Sequence, residues 1–160
     1  MVLILDRFII LLASGFGAGY CPVAPGTMGT LVAIPVYLLF SRIPFPLYEL
    51  TLLTFFFLAS LISDRAEKDW GKKDHPRIVI DEIMGFLTTM LWVPKTILFI
   101  ILGFFLFCFF DIVKPPPIRL AEKARGGYGV VLDDVLAGIY ANIILQIISY
   151  FTLSPGARPT

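Results

Sequence analysis

The stretch TILFIILGFFLFCFF (residues 96–110), followed directly by DIVKPPP (residues 111–117), decides the fold of this chain. Its first fifteen residues carry no charge, which approaches the roughly 20 apolar residues that a helix needs to cross a bilayer. Three prolines then stop the helix, because proline lacks a backbone N–H and its ring clashes with the preceding turn. The stretch predicts a membrane helix that ends at a charged segment.

The composition of the whole chain agrees with this prediction. Of the 160 residues, 58% are hydrophobic and only 16% are charged, whereas a soluble domain carries about 25% charged residues. A small soluble protein leaves much of its surface exposed and could not hide so much apolar area. No linker divides the chain, so we expect one domain over residues 1–160. The net charge of +1 excludes a global field that would recruit nucleic acid.

Further uncharged runs predict an all-α, polytopic membrane helix bundle with about four to five membrane helices. The predicted spans are Thr27–Phe40, Leu47–Asp64, Lys95–Val113 and Asp133–Leu153. A shorter helix, Ile80–Trp92, would be shielded by its neighbours. Residues 2–14 are too few to span and predict an interfacial helix or a plug of the bundle. Whether they cross the bilayer, and the oligomeric state, stay open.

The alternation of these helices places every polar segment on one membrane face, provided that Ile80–Trp92 crosses. The basic residues of that face are Arg7, Arg65, Lys68, Lys72, Lys73, Arg77, Lys114, Arg119, Lys123 and Arg125. The opposite face carries only Arg42, Lys95 and Arg158. Because cytoplasmic loops are enriched in Lys and Arg, we expect the polar face to be cytoplasmic.

Three acidic clusters lie at predicted helix ends, namely Asp81-Glu82, Asp111 and Asp133-Asp134. Carboxylates near hydrocarbon are costly, so they usually pair, coordinate a metal or mark a functional site. The alternative is that they flank the spans in the headgroup region.

Glycine follows two of these acids at the spacing of one helical turn, as Gly85 after Asp81 and Gly138 after Asp134. Small residues let membrane helices approach closely, so two such helices can bring their carboxylates to one cation. Oxygen ligands favour a hard ion such as Mg²⁺. The sequence offers no Cys/His cluster for zinc, and its sole histidine, His75, is at most a helper.

The segment GFGAGYCPVAPGTMGT (residues 15–30) is rich in glycine and proline. Its backbone can approach a ligand and form an anion nest, with hydroxyls near a helix start. We therefore predict phosphate binding by Gly26, Thr27, Gly29 and Thr30; a kinked helix connection is the alternative. Lys114 is either an ion-pair partner of Asp111 or a second phosphate ligand. The segment GGYG (residues 126–129) is either a flexible approach loop or an ordinary turn.

Four linked motifs resemble the phosphatidylglycerophosphatase A family over about residues 14–142. They are Gly17 to Thr30 with its Ala-Pro-Gly-Thr core, Ile80-Asp81-Glu82 with Gly85, Phe110-Asp111-Ile112 with Lys114-Pro115, and Gly126-Gly127 leading to Asp133-Asp134 and Ala137-Gly138. The resemblance implies an all-helical, Mg²⁺-dependent phosphatase of the bacterial inner membrane. Its substrate would be phosphatidylglycerophosphate, in phosphatidylglycerol and cardiolipin synthesis.

The resemblance also implies roles for individual residues. It implies catalytic and metal-binding roles for Asp81, Glu82, Asp111, Asp133 and Asp134, with Lys114 beside them. One departure is Cys108, since the family often has Arg at this place; Lys114, Arg119 or Arg77 are possible substitutes, unless that Arg is structural. We expect Asp81, Asp111 and Asp134 to hold Mg²⁺, with Glu82 or Asp133 orienting water.

Other phosphatase chemistries and other functions are alternatives to this one. The sequence contains no Cys-x5-Arg loop, no Asp-x-Asp pair and no second histidine, which excludes three other phosphatase mechanisms. A covalent aspartyl-phosphate stays open. The competing functions are an ion-coupled transporter with intramembrane acids and a non-catalytic lipid-binding protein.

Overall fold

The computed structural model describes residues 2–121 and 126–152, and within these ranges the protein is all-α. The seven helices described are α1 (Val2–Ala13), α2 (Pro25–Phe40), α3 (Leu47–Trp70), α4 (Ile80–Thr89), α5 (Ile97–Val113), α6 (Ile118–Ala121) and α7 (Gly127–Thr152). A 3₁₀ turn, Ala18–Tyr20, precedes α2. These ranges contain no β-strand, which confirms the predicted all-α class.

Two of the described helices, α3 with 24 residues and α7 with 26, are long and apolar enough to cross a membrane. Helices α2 and α5 are apolar but have only 16 and 17 residues. The structure therefore supports two spanning helices and does not confirm the predicted four to five. The interfacial position of α1 stays a prediction.

Three helix boundaries differ from the prediction by three residues or more, and one of them is the end of α4 at Thr89 rather than at Trp92. Helix α3 continues to Trp70. Helix α7 begins at Gly127, so residues 127–129 are helical rather than a flexible loop, and Asp133 and Asp134 lie inside the helix rather than at its end. The physical reason is contact with α3, because a Cβ on Gly127 would overlap the carbonyl oxygen of Ser60. Four residues used in the sequence analysis, Lys123, Arg125, Leu153 and Arg158, lie outside the described residues.

Helix α4 is the centre of the bundle. Nine of its ten residues are buried, which confirms the prediction that neighbouring helices shield it. Its length of about 15 Å is only half the thickness of the hydrocarbon core of a bilayer. Its last carbonyl groups would be left without partners inside the bundle. Side chains from other helices satisfy carbonyl groups in its last turn and just beyond it. Asn142 donates to Thr89, Tyr48 donates to Leu87, and Asn142 and Gln146 both donate to Leu91 after the helix end.

Helices α4 and α7 pack against each other with their backbones almost in contact. A Cβ on Gly138 would overlap the carbonyl oxygen of Gly85, and a Cβ on Gly85 would lie 2.8 Å from the carbonyl oxygen of Asp134. The ring of Phe107 from α5 fills the remaining space beside Gly85. The predicted close approach at these two glycines is thus confirmed.

The ends of the bundle differ in chemistry. At one end, Lys95 donates to the carbonyl of Ser41, and Trp92 donates to Glu49. At the other end, α3 finishes beside the start of α7, where a Cβ on Gly126 would lie 2.7 Å from Asp64 Oδ1. The second end also holds the starts of α2 and α4, and we call it the acidic end.

Candidate metal centre

Three carboxylates meet at the acidic end. Asp81 and Glu82 lie in the first turn of α4, Asp134 lies near the start of α7, and one oxygen of each lies within 4.8 Å of the others. Asp81 and Asp134 are buried, and Glu82 is half-buried. Carboxylates this close repel one another strongly unless a proton or a cation lies between them. We call these three residues the carboxylate triad.

The carboxylate triad has the chemistry that a hard divalent cation requires. Among the described residues, no group hydrogen-bonds to Glu82 Oε2 or Asp134 Oδ2, although both atoms are buried. Buried polar atoms are almost always partnered, so these two oxygens point to a missing ligand. The donor set consists of carboxylate oxygens alone, which suits Mg²⁺ or Ca²⁺ rather than a soft metal.

The other two predicted acids lie beside the triad and contact Lys114. The side chain of Asp111 lies near that of Asp134. Lys114 lies 2.5 Å from Asp133 Oδ2 and 3.6 Å from Asp111 Oδ1. Of the two roles predicted for Lys114, the structure shows the ion pair. A sixth carboxylate, the exposed Asp74, was not predicted, although its charge acts on Asp81 and Asp133. Its closeness to Asp81 in the sequence was the only signal.

The ammonium group of Lys114 is held in its charged form. Burial disfavours its charge, but the hydrogen bond to Asp133 and the charges of the nearby aspartates outweigh burial and raise its pKa above the ordinary value. Lys114 therefore stays a cation throughout the physiological pH range, and it offsets part of the negative charge of the site.

We expect Lys114→Met to destabilise the protein by about 3 kcal/mol, because Asp133 would remain buried without its partner. Unfolding in a denaturing detergent, followed by circular dichroism, measures this change. The double variant Lys114→Met/Asp133→Asn removes both charges and should recover much of the loss. Equal stability of Lys114→Met and the unmodified protein would show that the ion pair contributes nothing.

The glycine-rich segment wraps around the start of α4. A Cβ on Gly29 would lie 2.7 Å from the side chain of Val79, and a Cβ on Gly26 would lie 2.5 Å from Glu82 Oε1. Gly26 is in the first turn of α2, where no side chain caps the helix. The first N–H groups of a helix have no intrahelical partner and attract anions. The start of α2 thus brings free donors to the edge of the triad.

The four residues predicted to bind phosphate divide into two pairs. Gly26 and Thr27 lie at the start of α2 and are half-buried. Thr30, by contrast, is buried and donates its hydroxyl to the carbonyl of Gly26 at 3.0 Å, so this hydroxyl is not available to a ligand. Gly29 is one residue earlier and serves the packing against Val79. Phosphate binding by Gly29 and Thr30 stays a prediction, and the hydroxyl of Thr30 has a partner within its own helix.

Two remaining predicted participants are placed outside the triad. The ring of His75 packs on the ring of Trp70, with 4.8 Å between the ring centroids. Its nitrogen atoms do not belong to the cluster of potential metal ligands that the carboxylate triad forms. Cys108 contacts the side chain of Thr30. It is a free thiol, as is Cys21.

Comparison with known proteins identifies the family of the chain. The family profile of phosphatidylglycerophosphatase A matches residues 11–149. The chain is 37% identical to phosphatidylglycerophosphatase A of Escherichia coli (88% of this chain, 83% of the relative) and 39% identical to that of Haemophilus influenzae (91% of each). It is 38% identical to a Bacteroides thetaiotaomicron protein provisionally named a phosphatidylinositol-3-phosphatase (86% of this chain, 91% of the relative). No solved structure matches at a significant level. The chain belongs to the phosphatidylglycerophosphatase A family.

Proposed function

We propose that this protein hydrolyses phosphatidylglycerophosphate to phosphatidylglycerol and phosphate, with Mg²⁺ as its cofactor. Membership of the family makes the chain a phosphatase. The observation that carries the proposal is the carboxylate triad beside the free start of α2, because a cation site and an anion site then adjoin. The reaction would serve the synthesis of phosphatidylglycerol, a precursor of cardiolipin.

In this proposal, Asp81, Glu82 and Asp134 hold the cation. When bound, Mg²⁺ neutralises the charge that develops on the phosphoryl oxygens and orients the reacting groups. The buried, unpartnered oxygens of Glu82 and Asp134 support this assignment. Asp111, which lies near Asp134, is at the edge of the same site.

The remaining residues bind the phosphoryl group and accept the proton of the attacking water. The N–H groups of Gly26 and Thr27 donate to phosphoryl oxygens at the start of α2. Asp133 accepts the proton of the attacking water at Oδ1, which is buried and has no partner among the described residues. Lys114 orients Asp133 by binding its other oxygen. Water oxygen bonds to phosphorus as its proton passes to Asp133, and the phosphorus–oxygen ester bond breaks. The glycerol oxygen takes a proton from solvent water and leaves as the alcohol, and Asp133 then returns its proton to solvent.

We further propose that the chain is a single multi-pass membrane domain of the bacterial inner membrane, with this site at the cytoplasmic face. The acidic end carries most of the described basic residues, including Arg65, Lys68, Lys114 and Arg119, whereas the opposite end carries Arg42 and Lys95. This asymmetry is the one expected of a cytoplasmic end.

The purified protein should release phosphate from phosphatidylglycerophosphate in mixed micelles, lose this activity in excess EDTA and regain it with added Mg²⁺. Phosphate release measured with and without EDTA tests the proposal. Undiminished turnover in EDTA would exclude the metal. Absence of release in both conditions would favour a transporter or a non-catalytic lipid-binding protein.

A second substrate belongs in the same assay, because one relative is named for phosphatidylinositol 3-phosphate. Both lipids present a phosphomonoester beyond a phosphodiester. The ratio of kcat/KM for the two substrates decides which head group the site prefers. A higher value for phosphatidylinositol 3-phosphate would replace the proposed substrate while retaining the chemistry.

A further inference from the structure

The acidic end has a surplus of negative charge that a phosphorylated lipid must overcome. Its five predicted site carboxylates are accompanied by one lysine, Lys114. A divalent cation offsets two of these charges, and the head group of phosphatidylglycerophosphate then adds two phosphate groups. Because like charges repel in a site of low dielectric constant, the substrate needs a further cation that acidic side chains do not already neutralise.

Most cations around this end already have partners. Lys114 binds Asp133 and Asp111, and Arg119 donates to the carbonyl of Val113. The remaining ion pairs of α3 are Arg65 with Asp6 and Asp69, and Lys68 with Asp64. Arg77 differs from these residues, because within residues 2–121 and 126–152 its guanidinium group has neither a carboxylate in an ion pair nor a carbonyl as a hydrogen-bond acceptor.

The guanidinium group of Arg77 stacks on an aromatic ring without being neutralised. Its central carbon lies 4.8 Å from the centroid of the Tyr20 ring, a distance typical of a cation–π contact. Stacking on an aromatic face leaves the N–H donors at the edge of the guanidinium plane free, and these donors suit the paired oxygens of a phosphate.

The backbone holds Arg77 close to the candidate metal centre. A Cβ on Gly19 would overlap the carbonyl oxygen of Arg77, just as Gly26 packs against Glu82. The loop from Gly19 to Gly26 therefore runs beside residues 77–82, with contacts at both ends. Arg77 precedes Asp81 by four residues, so their Cα atoms are at most about 14 Å apart. A lipid head group can reach both.

We propose that Arg77, supported by Tyr20, binds the phosphodiester of the lipid head group while the phosphomonoester lies at the carboxylate triad. This inference rests on the proposed function and names the residue that selects a head group with two phosphates. It applies to both lipids considered above, since each has a diester between the diacylglycerol and the phosphomonoester.

The test compares Arg77→Gln with the unmodified enzyme in micelles of fixed lipid fraction. We expect KM for phosphatidylglycerophosphate to rise roughly tenfold, because a charge-assisted phosphate contact is lost, while kcat changes less than about twofold since the reacting group is bound elsewhere. Product inhibition by phosphatidylglycerol, which keeps the diester, should weaken by a similar factor. Inhibition by inorganic phosphate, which mimics only the monoester, should stay the same.

Matched variants separate this role from surface charge and from folding. Lys72→Gln removes another exposed cation of the same segment and should leave both inhibition constants unchanged. Tyr20→Leu should reproduce part of the Arg77→Gln effect, whereas Tyr20→Phe keeps the ring and should behave as the unmodified enzyme.

Three results would overturn the inference. An unchanged KM and unchanged phosphatidylglycerol inhibition in Arg77→Gln would exclude the contact. Equal weakening of inhibition by phosphate and by phosphatidylglycerol would assign Arg77 to the monoester. Equal effects of Lys72→Gln would reduce the role to surface potential. A wild-type enzyme that hydrolyses neither lipid would instead reject the proposed function, together with everything that rests on it.

Discussion

Asp81→Asn and Asp134→Asn should each lower kcat/KM for phosphatidylglycerophosphate by about 100- to 1,000-fold. Each substitution removes one of three carboxylates that lie within 4.8 Å of one another. An amide is nearly isosteric but neutral and therefore binds a hard cation far more weakly, and the loss of one preorganised electrostatic group has about this effect on a reaction. Phosphate release at saturating Mg²⁺ is the measurement.

Stability distinguishes a lost metal ligand from a damaged fold. In EDTA, both variants should unfold at the same detergent concentration as the unmodified protein or at a higher one, because a mutual repulsion has been removed. Added Mg²⁺ should stabilise the unmodified protein more than the variants, since a bound ligand stabilises the folded state. Glu49→Gln, at the opposite end beside Trp92, is the control and should retain full activity. Full turnover by Asp81→Asn or Asp134→Asn would exclude the triad as the metal centre.

Gly138→Ala should destabilise the bundle by about 3 kcal/mol, the upper part of the range for overpacking a core. The added Cβ would overlap the carbonyl oxygen of Gly85, and neither backbone can move without separating α4 from α7. Because Asp81 and Asp134 lie one turn from these glycines, separation of the helices should also abolish activity. Detergent-induced unfolding and phosphate release measure the two effects.

Gly103→Ala is the matched control for this substitution. Its Cβ would lie 2.8 Å from the sulfur of Met90, but that sulfur is near the end of a flexible side chain and can move away. We expect a loss of about 1 kcal/mol or less and nearly normal activity. If Gly138→Ala were as mild as Gly103→Ala, the contact between α4 and α7 would not set the geometry of the site.

Part of this geometry could be predicted from spacing along the sequence. Asp81 with Gly85, and Asp134 with Gly138, predicted that two helices meet closely with their carboxylates together, and the structure has this arrangement. Such spacing is informative because an α-helix repeats every 3.6 residues, so residues four apart share a face.

Other parts depend on contacts that spacing does not contain. The sequence predicted Thr30 as a ligand donor, but its hydroxyl donates to Gly26 within its own helix. The start of α7 was placed too late because its glycines resemble a loop, whereas Gly127 is helical and packs against Ser60. Contacts between distant segments overrode these local tendencies.

The sequence by itself determined the all-α class and the family and singled out five candidate site carboxylates, since these follow from composition, helical periodicity and motif order. The tertiary structure decided which of the carboxylates form the triad and which one pairs with a lysine. It grouped Asp81, Glu82 and Asp134 in one cluster and paired Asp133 with Lys114. It also left Arg77 without an acidic partner among the described residues, stacked on Tyr20. The reason is physical: charge interactions depend on distance in space, and the packing of α4 against α7, α5 and the glycine-rich loop sets those distances.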